Sequence, residues 1–138
     1  MWGGPFRAAV VLSIHSVYTR NVQIKPEALL PLPPAAFHIL VALADKDLHG
    51  YAIMQEVAAR TEGGVRLTAA TLYRSVQRML DQKLIVESDD RPSPEHDDER
   101  RRYYRVTAFG RSVAKAEARR LAQMLTLARA KGLAPGKL

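Results

Sequence analysis

Residues 68–86 read TAATLYRSVQRMLDQKLIV, a segment in which a helical pattern gives way to a strand pattern. Thr68 is typical of an N-cap, because its hydroxyl can accept a hydrogen bond from a free N–H of the first turn. Four apolar side chains then follow at the helical spacing i, i+4, i+7 and i+8, namely Leu72, Val76, Met79 and Leu80. Residues 84–86 (LIV) are apolar and mostly β-branched, which favours a strand. The segment therefore predicts an amphipathic helix that ends near residue 83 and is followed directly by a strand.

Further elements on both sides extend this pattern. A second strand is predicted over residues 101–106 (RRYYRV), after a polar, proline-containing loop. Upstream, two shorter helices are predicted over residues 35–44 and 51–60, separated by a turn at His49-Gly50. Downstream, Thr107 is predicted to cap a long helix over residues 108–131. A mainly α chain with a small β-hairpin in this order is typical of a winged helix-turn-helix followed by a long C-terminal helix.

Periodicity also predicts which side chains face inward. The inner face of the second helix is expected to consist of Met54, Val57 and Ala58, with Tyr51 close to it. In the second strand, Tyr103 and Tyr104 must point to opposite faces, because side chains alternate along a strand. We therefore expect one of these tyrosines in the core and the other free to reach DNA or a second copy of the chain.

The 138 residues correspond to about one domain, which we expect to divide into three parts. Residues 1–31 form an N-terminal arm outside the core, either disordered or the product of a start site assigned too early. Residues 32–107 form the winged-helix domain, and residues 108–138 form a dimerisation helix and tail. Three prolines in the arm, Pro5, Pro26 and Pro31, and two just after it, Pro33 and Pro34, block a continuous element.

The composition narrows the class of protein. The net charge is +7, and residues 100–138 hold eleven basic residues and a single acid, Glu117, which favours a polyanionic partner. On charge alone, RNA or an anionic membrane would fit as well as DNA. Cysteine is absent, which excludes a disulfide scaffold and a thiolate zinc site. No apolar run approaches the roughly 20 residues needed to cross a bilayer, so we expect a cytoplasmic protein with no membrane partner.

Catalytic and metal-binding patterns are not found. The four histidines, His15, His38, His49 and His96, form no i, i+4 pair, and the glycine-rich phosphate loop, G-x-S-x-G and H-E-x-x-H motifs are absent. We therefore expect no enzyme activity, no metal and no cofactor.

The outer face of the helix that begins at Thr68 carries groups suited to DNA. Arg74 and Arg78 lie one turn apart and can reach a guanine edge or a phosphate, and Gln77 can make a bidentate contact to adenine. Thr68 and Thr71 lie at the helix N-terminus, where hydroxyl and free N–H groups bind phosphate. The alternative is an ordinary solvated helix face.

A cluster of arginines lies where the wing is predicted. Arg101, Arg102 and Arg105, beside Arg100, are expected to contact the DNA backbone on either side of the groove. The alternative is that these arginines pair with the acidic loop at residues 95–99 (EHDDE).

The first helix is apolar on almost all sides, which is typical of a helix inside a core or at a dimer interface. A homodimer would present its two recognition helices to a palindromic site about one helical turn apart. The residues expected at the dimer interface are Phe37, Leu40, Val113, Leu121, Met124, Leu125 and Ala128.

Three ordered motifs in residues 32–112 resemble those of the PadR-like family, the phenolic acid decarboxylase repressors. Residues 48–53 (LHGYAI) resemble the signature L-H-G-Y-x-I, and residues 71–85 resemble the stretch T-L-Y…R-L…G-L-I. Residues 102–111 (RYYRVTAFGR) resemble the closing R-x-Y-Y-x-L-T-x-x-G-R. Gln82-Lys83 stands where the family usually has a glycine before the strand.

The resemblance implies a winged-helix repressor that dimerises through its terminal helices and often responds to a small-molecule effector. It also implies that Tyr73 and the outer face of its helix lie against double-stranded DNA, and the single helix after the wing is similar to the shorter branch of the family. Two other classes stay open at this stage: a winged-helix protein–protein interaction module that does not bind DNA, and a basic RNA-binding protein.

Overall fold

Four α-helices and three short strands follow one another in the computed structural model, which describes residues 24–89 and 101–136. A single 3-10 turn at Pro26–Leu29 precedes them. The elements are α1 (Pro34–Ala42), β1 (Leu48–His49), α2 (Gly50–Arg60), α3 (Ala69–Asp81), β2 (Ile85–Ser88), β3 (Tyr103–Val106) and α4 (Ala108–Ala130). This order confirms the predicted winged helix with a long helix after it.

The sheet has one strand more than the predicted hairpin. Its strand order is β1-β3-β2, and both pairs are antiparallel. Leu48 pairs with Tyr104, and His49 with Tyr103, so the segment predicted as a turn is also an edge strand. His49 then serves as the N-cap of α2, where its side chain accepts a hydrogen bond from the N–H of Ala52. The sheet thereby fixes the position at which α2 begins.

The core lies between the helices and one face of the sheet. Its largest fully buried side chains are Ile39, Leu40, Leu43, Ile53, Leu72, Met79, Leu84, Ile85 and Val113. The predicted inner face of α3 is confirmed, but that of α2 is rotated. Ile53 and Val57 are buried and Met54 and Ala58 are half-buried, whereas Tyr51 is 61% exposed.

One joint connects α3, β2 and α4. The backbone N–H of Thr107 donates to the carbonyl of Leu84 at 3.0 Å. The Thr107 hydroxyl donates to the carbonyl of Lys83 at 2.7 Å and accepts from the N–H of Gly110 at 2.8 Å, which confirms the predicted cap of α4. Gly110 lies so close to Leu84 that a Cβ there would collide with the Leu84 carbonyl oxygen. The start of α4 is therefore packed directly on the backbone where β2 begins.

The end of α3 requires a left-handed residue, and a lysine occupies that position. Lys83 has φ +64°, a conformation that side chains other than glycine disfavour. The N–H of Lys83 donates to the carbonyl of Leu80, and the N–H of Leu84 donates to the carbonyl of Met79, which together form a Schellman motif. The absence of the family's usual glycine therefore leaves strain at the residue before β2.

Lys83→Gly is expected to raise the free energy of unfolding by about 1 kcal/mol. The gain from relieving the left-handed conformation is partly offset by the greater freedom of glycine in the unfolded chain. Urea unfolding followed by circular dichroism measures the change. Lys83→Ala is the matched control, because it removes the charge and keeps the Cβ. An equal gain in both variants would show that the lysine charge, and not the backbone, is the cause.

The N-terminal segment contacts the core earlier than predicted. The turn at Pro26–Leu29 packs against α4, and Leu29 and Leu30 pack against the core, so the arm does not extend to residue 31. Glu117 of α4 is 2% exposed and accepts hydrogen bonds from Arg120 at 2.6 and 2.9 Å. The hydrogen bond from Arg120, with a further one from the Leu32 backbone, holds the pKa of Glu117 below its usual value. The Glu117 carboxylate therefore links the backbone of Leu32 to α4 by a hydrogen bond. The arm over residues 1–23 lies outside the described residues.

Candidate nucleic-acid interface

The outer face of α3 is a continuous polar surface. Thr68 caps the helix by accepting from the N–H of Thr71 at 3.1 Å, and its hydroxyl also contacts that of Thr71. Thr71 is half-buried, whereas Tyr73, Arg74, Gln77 and Arg78 are all exposed. The side chains of Leu72, Val76 and Met79 hold the opposite face in the core. A rigid helix therefore displays two guanidinium groups and one amide to solvent.

Tyr73 connects this face to the start of α2. It is 52% exposed, yet a Cβ built on Gly50 would lie 2.5 Å from its hydroxyl oxygen and 2.9 Å from its Cζ. Glycine at position 50 lets the phenol ring lie against the start of α2, and a Cβ there would require the ring to shift. The H-G-Y motif thus places Tyr73 beside the N-terminus of α2.

A cavity of about 400 Å³ lies where β1, α2, α3 and β3 meet. Its lining includes His49, Tyr51, Tyr73, Arg101, Arg102 and Tyr104. His49 and Tyr51 were not among the predicted site residues, although the L-H-G-Y motif that contains them was the signal that could have identified them. The structure thus brings Tyr73 together with two of the three predicted wing arginines.

The three wing arginines have different surroundings. Arg101 Nη1 lies 3.3 Å from His49 Nε2, and Arg102 Nη1 lies 3.5 Å from a Glu87 carboxylate oxygen. Arg105 donates to Asp47 from Nη2 at 2.8 Å and from Nε at 3.2 Å, and its side chain remains 47% exposed, so its contact with DNA stays a prediction. Its position opposite Val86 on β3 brings it to a carboxylate that sequence spacing did not reveal. The acidic loop at residues 95–99, considered as the alternative partner, lies outside the described residues.

Asp47, which directly precedes the edge strand β1, also contacts the other two strands of the sheet. Besides Arg105, it accepts a hydrogen bond from the hydroxyl of Ser88 at 2.6 Å. Burial tends to raise the pKa of Asp47, but the hydrogen bonds from Arg105 and Ser88 and the charge of Arg105 outweigh it, so the pKa is lowered. Asp47 is therefore charged at neutral pH and holds Arg105 along the sheet.

The two wing tyrosines are both buried, which corrects the prediction that one would be free. Tyr104 packs in the core, and Tyr103, on the opposite face of β3, makes an edge-to-face contact with the His49 ring at 5.2 Å. Tyr103 and Tyr104 are 5% and 4% exposed, and the small exposed part of Tyr104 lines the cavity beside His49.

The predicted dimer residues divide into two groups. Leu40 and Val113 are 1% and 0% exposed within the chain itself, so they belong to the core and cannot form a face that meets a partner. Phe37, Leu125 and Ala128 are half-buried, and Leu121 and Met124 are exposed. Leu127, which the prediction omitted, is 68% exposed on the same helix. The second half of α4 therefore carries most of the exposed apolar surface that was expected.

Metal-binding clusters and membrane-spanning helices are both absent from residues 24–89 and 101–136. Over these ranges, no cluster of three or more His, Asp or Glu side chains is arranged to hold a metal ion. No α-helix in them combines the length and the apolar character that crossing a lipid bilayer requires.

Solved structures share this fold. A transcriptional regulator from Clostridium thermocellum has a TM-score of 0.58 and 23% identity, over 69% of this chain and 86% of that chain. A PadR family transcription regulator from Clostridium difficile has a TM-score of 0.58 and 22% identity, over 70% of this chain and 96% of that chain. Bacillus subtilis PadR, solved in complex with operator DNA, has a TM-score of 0.51 and 16% identity, over 66% of this chain and 48% of that chain.

One curated relative and one family model also match the sequence of this chain. An uncharacterized protein of Lysinibacillus sphaericus is 36% identical over 74 residues, which are 54% of this chain and 65% of that protein. The chain therefore spans slightly less than two thirds of that relative. The model of the transcriptional regulator PadR-like family matches residues 39–116, more than half of the chain, from α1 to the middle of α4. With the winged-helix fold established independently, this match shows that the chain belongs to the PadR-like family of transcriptional regulators.

Proposed function

We propose that this regulator is a repressor that binds a palindromic operator as a homodimer in the cytoplasm. The observation that carries the proposal is the outer face of α3, on which Arg74, Gln77 and Arg78 are exposed together on a helix whose other face is fixed in the core. A helix of this kind fits the major groove of B-DNA, which is wide enough to admit it. The operator complex of Bacillus subtilis PadR, a structural neighbour, supports this reading.

The chemistry of each exposed side chain assigns it either to base edges or to the DNA backbone. Arg74, Gln77 and Arg78 contact base edges, where guanidinium and amide groups make bidentate hydrogen bonds. Thr68, Thr71 and Tyr73 contact the phosphates that flank the groove. Arg101 and Arg102 contact the backbone from the wing. The net charge of +7 adds a long-range attraction to the polyanion.

Dimerisation is assigned to the apolar half of α4 and to Phe37 of α1. Leu121, Met124, Leu125 and Ala128 form this surface, with Leu127 beside them. Burial against the same surface of a second copy would remove apolar area from water and fix the spacing of the two α3 helices. A small-molecule effector would act by changing the angle between the two protomers, and no cofactor is required.

The proposal is tested by titrating the wild-type protein onto the DNA upstream of its own gene at several salt concentrations. We expect a dimer by sedimentation velocity and a dissociation constant in the nanomolar range that rises steeply with salt. A structured RNA and an unrelated protein extract serve as competitors at equal ionic strength. Tighter binding to the RNA, or a monomer that ignores duplex DNA at low salt, would contradict the proposal.

A further inference from the structure

We propose that Arg66, in the turn between α2 and α3, contacts a phosphate of the DNA backbone next to the start of α3. This inference rests on the proposed function and deepens it, because it adds a residue that lies outside both the outer face of α3 and the wing. The phosphate belongs to the strand that also passes the hydroxyls of Thr68 and Thr71.

Backbone and side-chain hydrogen bonds fix the turn that carries Arg66. The N–H of Gly63 donates to a carbonyl in the last turn of α2 at 2.7 Å, and Gly63 has φ +81°, a left-handed conformation that glycine adopts without strain. The hydroxyl of Thr61 donates to the carbonyl of Val57 at 2.8 Å and accepts from the N–H of Val65 at 3.0 Å. The end of α2 is thereby tied to the residue immediately before Arg66.

Burial alternates along the chain between this turn and α3. Val65 and Leu67 are half-buried and pack against the core, whereas Arg66 between them is exposed. The Arg66 guanidinium lies against the turn, since a Cβ built on Gly63 would be 3.2 Å from its Nη2 and 3.9 Å from its Cζ. A guanidinium that already rests on a surface loses less side-chain freedom on binding than one that extends into water.

The position of Arg66 in the chain places it beside the start of α3. It lies two positions before the N-cap Thr68, and two residues of extended chain span about 7 Å. Thr68, Ala69 and Ala70 are all exposed, so this end of the helix is open to solvent. Successive phosphates of one DNA strand lie about 3.4 Å apart along the helix axis. A strand whose phosphate contacts Thr68 therefore has neighbouring phosphates within reach of the Arg66 side chain.

The chemistry and the surroundings of Arg66 both suit a phosphate. A guanidinium offers parallel N–H donors to phosphate oxygens, and its charge strengthens these hydrogen bonds. Arg60, at the end of α2, pairs with Glu56 at 2.7 Å, whereas over residues 24–89 and 101–136 the Arg66 guanidinium forms no ion pair. Because the Arg66 side chain lies over the turn and not along α3, it is placed for the DNA backbone at the rim of the groove.

Three variants test the contact. Arg66→Gln removes the charge, and Arg66→Lys keeps the charge but lacks the paired donors. Arg119→Gln removes one charge from the exposed surface of α4 and is the matched control. The probe is a duplex selected from a random-sequence pool by the wild-type protein, with a scrambled duplex of the same length beside it. Thermal unfolding checks that each variant is folded.

Arg66→Gln is expected to weaken binding of the homodimer to the selected duplex about 30-fold, because two charge-assisted contacts are lost. The magnitude of the salt slope should fall by about 1.8, which is about 0.9 for each phosphate contact. Binding to the scrambled duplex should weaken by the same factor, since a phosphate carries no sequence information. Arg66→Lys should keep the wild-type salt slope, and Arg119→Gln should change the affinity by less than about threefold.

An affinity and a salt slope of Arg66→Gln that equal those of the wild type would overturn this inference and leave the proposed function intact. A loss confined to the selected duplex would overturn it as well, because Arg66 would then read a base. An equal loss in Arg119→Gln would assign the effect to net charge and not to this contact. A wild type that selects no duplex would contradict the proposed function itself, and this inference with it.

Single methylphosphonate substitutions along the selected duplex locate the phosphate. In the wild type, one neutralised phosphate in each half-site should reduce the affinity, and the same substitution should have little further effect on Arg66→Gln. If every substitution weakens both proteins by the same factor, Arg66 contacts no phosphate and the assignment is wrong.

Discussion

Replacing Gly110 with alanine is expected to lower the free energy of unfolding by about 3 kcal/mol, the upper part of the range for overpacked sites. The added Cβ would overlap the carbonyl oxygen of Leu84, which is backbone and cannot rotate away. Either α4 must shift from the sheet or β2 must move at its first residue. Either shift also disturbs the hydrogen bonds that Thr107 makes to this backbone. Urea unfolding measures the loss.

Gly136→Ala is the control for this change. A Cβ at Gly136 meets nothing within 4 Å, so the same substitution there should alter the free energy of unfolding by no more than about 0.5 kcal/mol. Equal stability of Gly110→Ala and the wild type would mean that α4 does not approach β2 as closely as the structure has it. Because α3 ends at the same joint, Gly110→Ala should also weaken binding to DNA.

Changing Arg74 and Arg78 together to alanine is expected to weaken DNA binding about 100-fold, since each contact of this kind contributes about 1–3 kcal/mol. Both guanidinium groups are exposed on the outer face of α3, and neither supports the core. The fold should therefore be unaffected, and the thermal unfolding midpoint should stay within a few degrees of the wild type. Gel shift on the upstream DNA, at one fixed salt concentration, measures the loss.

The control for this pair is Lys115→Ala/Arg119→Ala, which removes two charges from the exposed surface of α4. It should weaken binding only slightly, by reducing the net charge. A loss as large as that of the α3 variant would show that total charge, rather than a specific helix face, governs binding. Unchanged binding by the α3 variant would show that the outer face of α3 does not carry the DNA contact, whereas a wild type that binds no duplex would favour a winged-helix module that recognises protein.

Local patterns predicted the parts of the structure that depend on neighbouring residues. The inner face of α3 and the caps at Thr68 and Thr107 follow from spacing and hydroxyl chemistry within a few residues, and the structure confirms them. The departure at Gln82-Lys83 was visible in the sequence, and the structure explains it as a left-handed residue without glycine. The outer face of α3 was predictable for the same reason, because it consists of the residues that remain once the periodic apolar residues are placed inward.

Features that depend on distant contacts were not predictable. A two-residue strand such as Leu48–His49 has no periodicity, and it exists because β3 supplies its hydrogen bonds. Arg105 pairs with a carboxylate 58 residues away, which no local rule connects to it. Leu40 and Val113 were assigned to an interface because an apolar residue looks the same in a core and at a subunit boundary. Only the packing of the folded chain shows which of these two locations an apolar residue occupies.

The joint at Leu84 has a mechanical consequence. Since α4 has 23 residues, it extends about 34 Å from the point at which it is clamped to the sheet and to the end of α3. The first half of α4 is also packed on the rest of the chain, through Val113, Ala116 and Glu117, whereas Leu121, Met124 and Leu127 of its second half are exposed. If the winged-helix domain and α4 turn together by 10° about this joint, the C-terminal end of α4 moves by roughly 6 Å, as follows from the length of a regular helix. A partner bound at the C-terminal end of α4 would therefore set the orientation of the winged-helix domain without contacting α3.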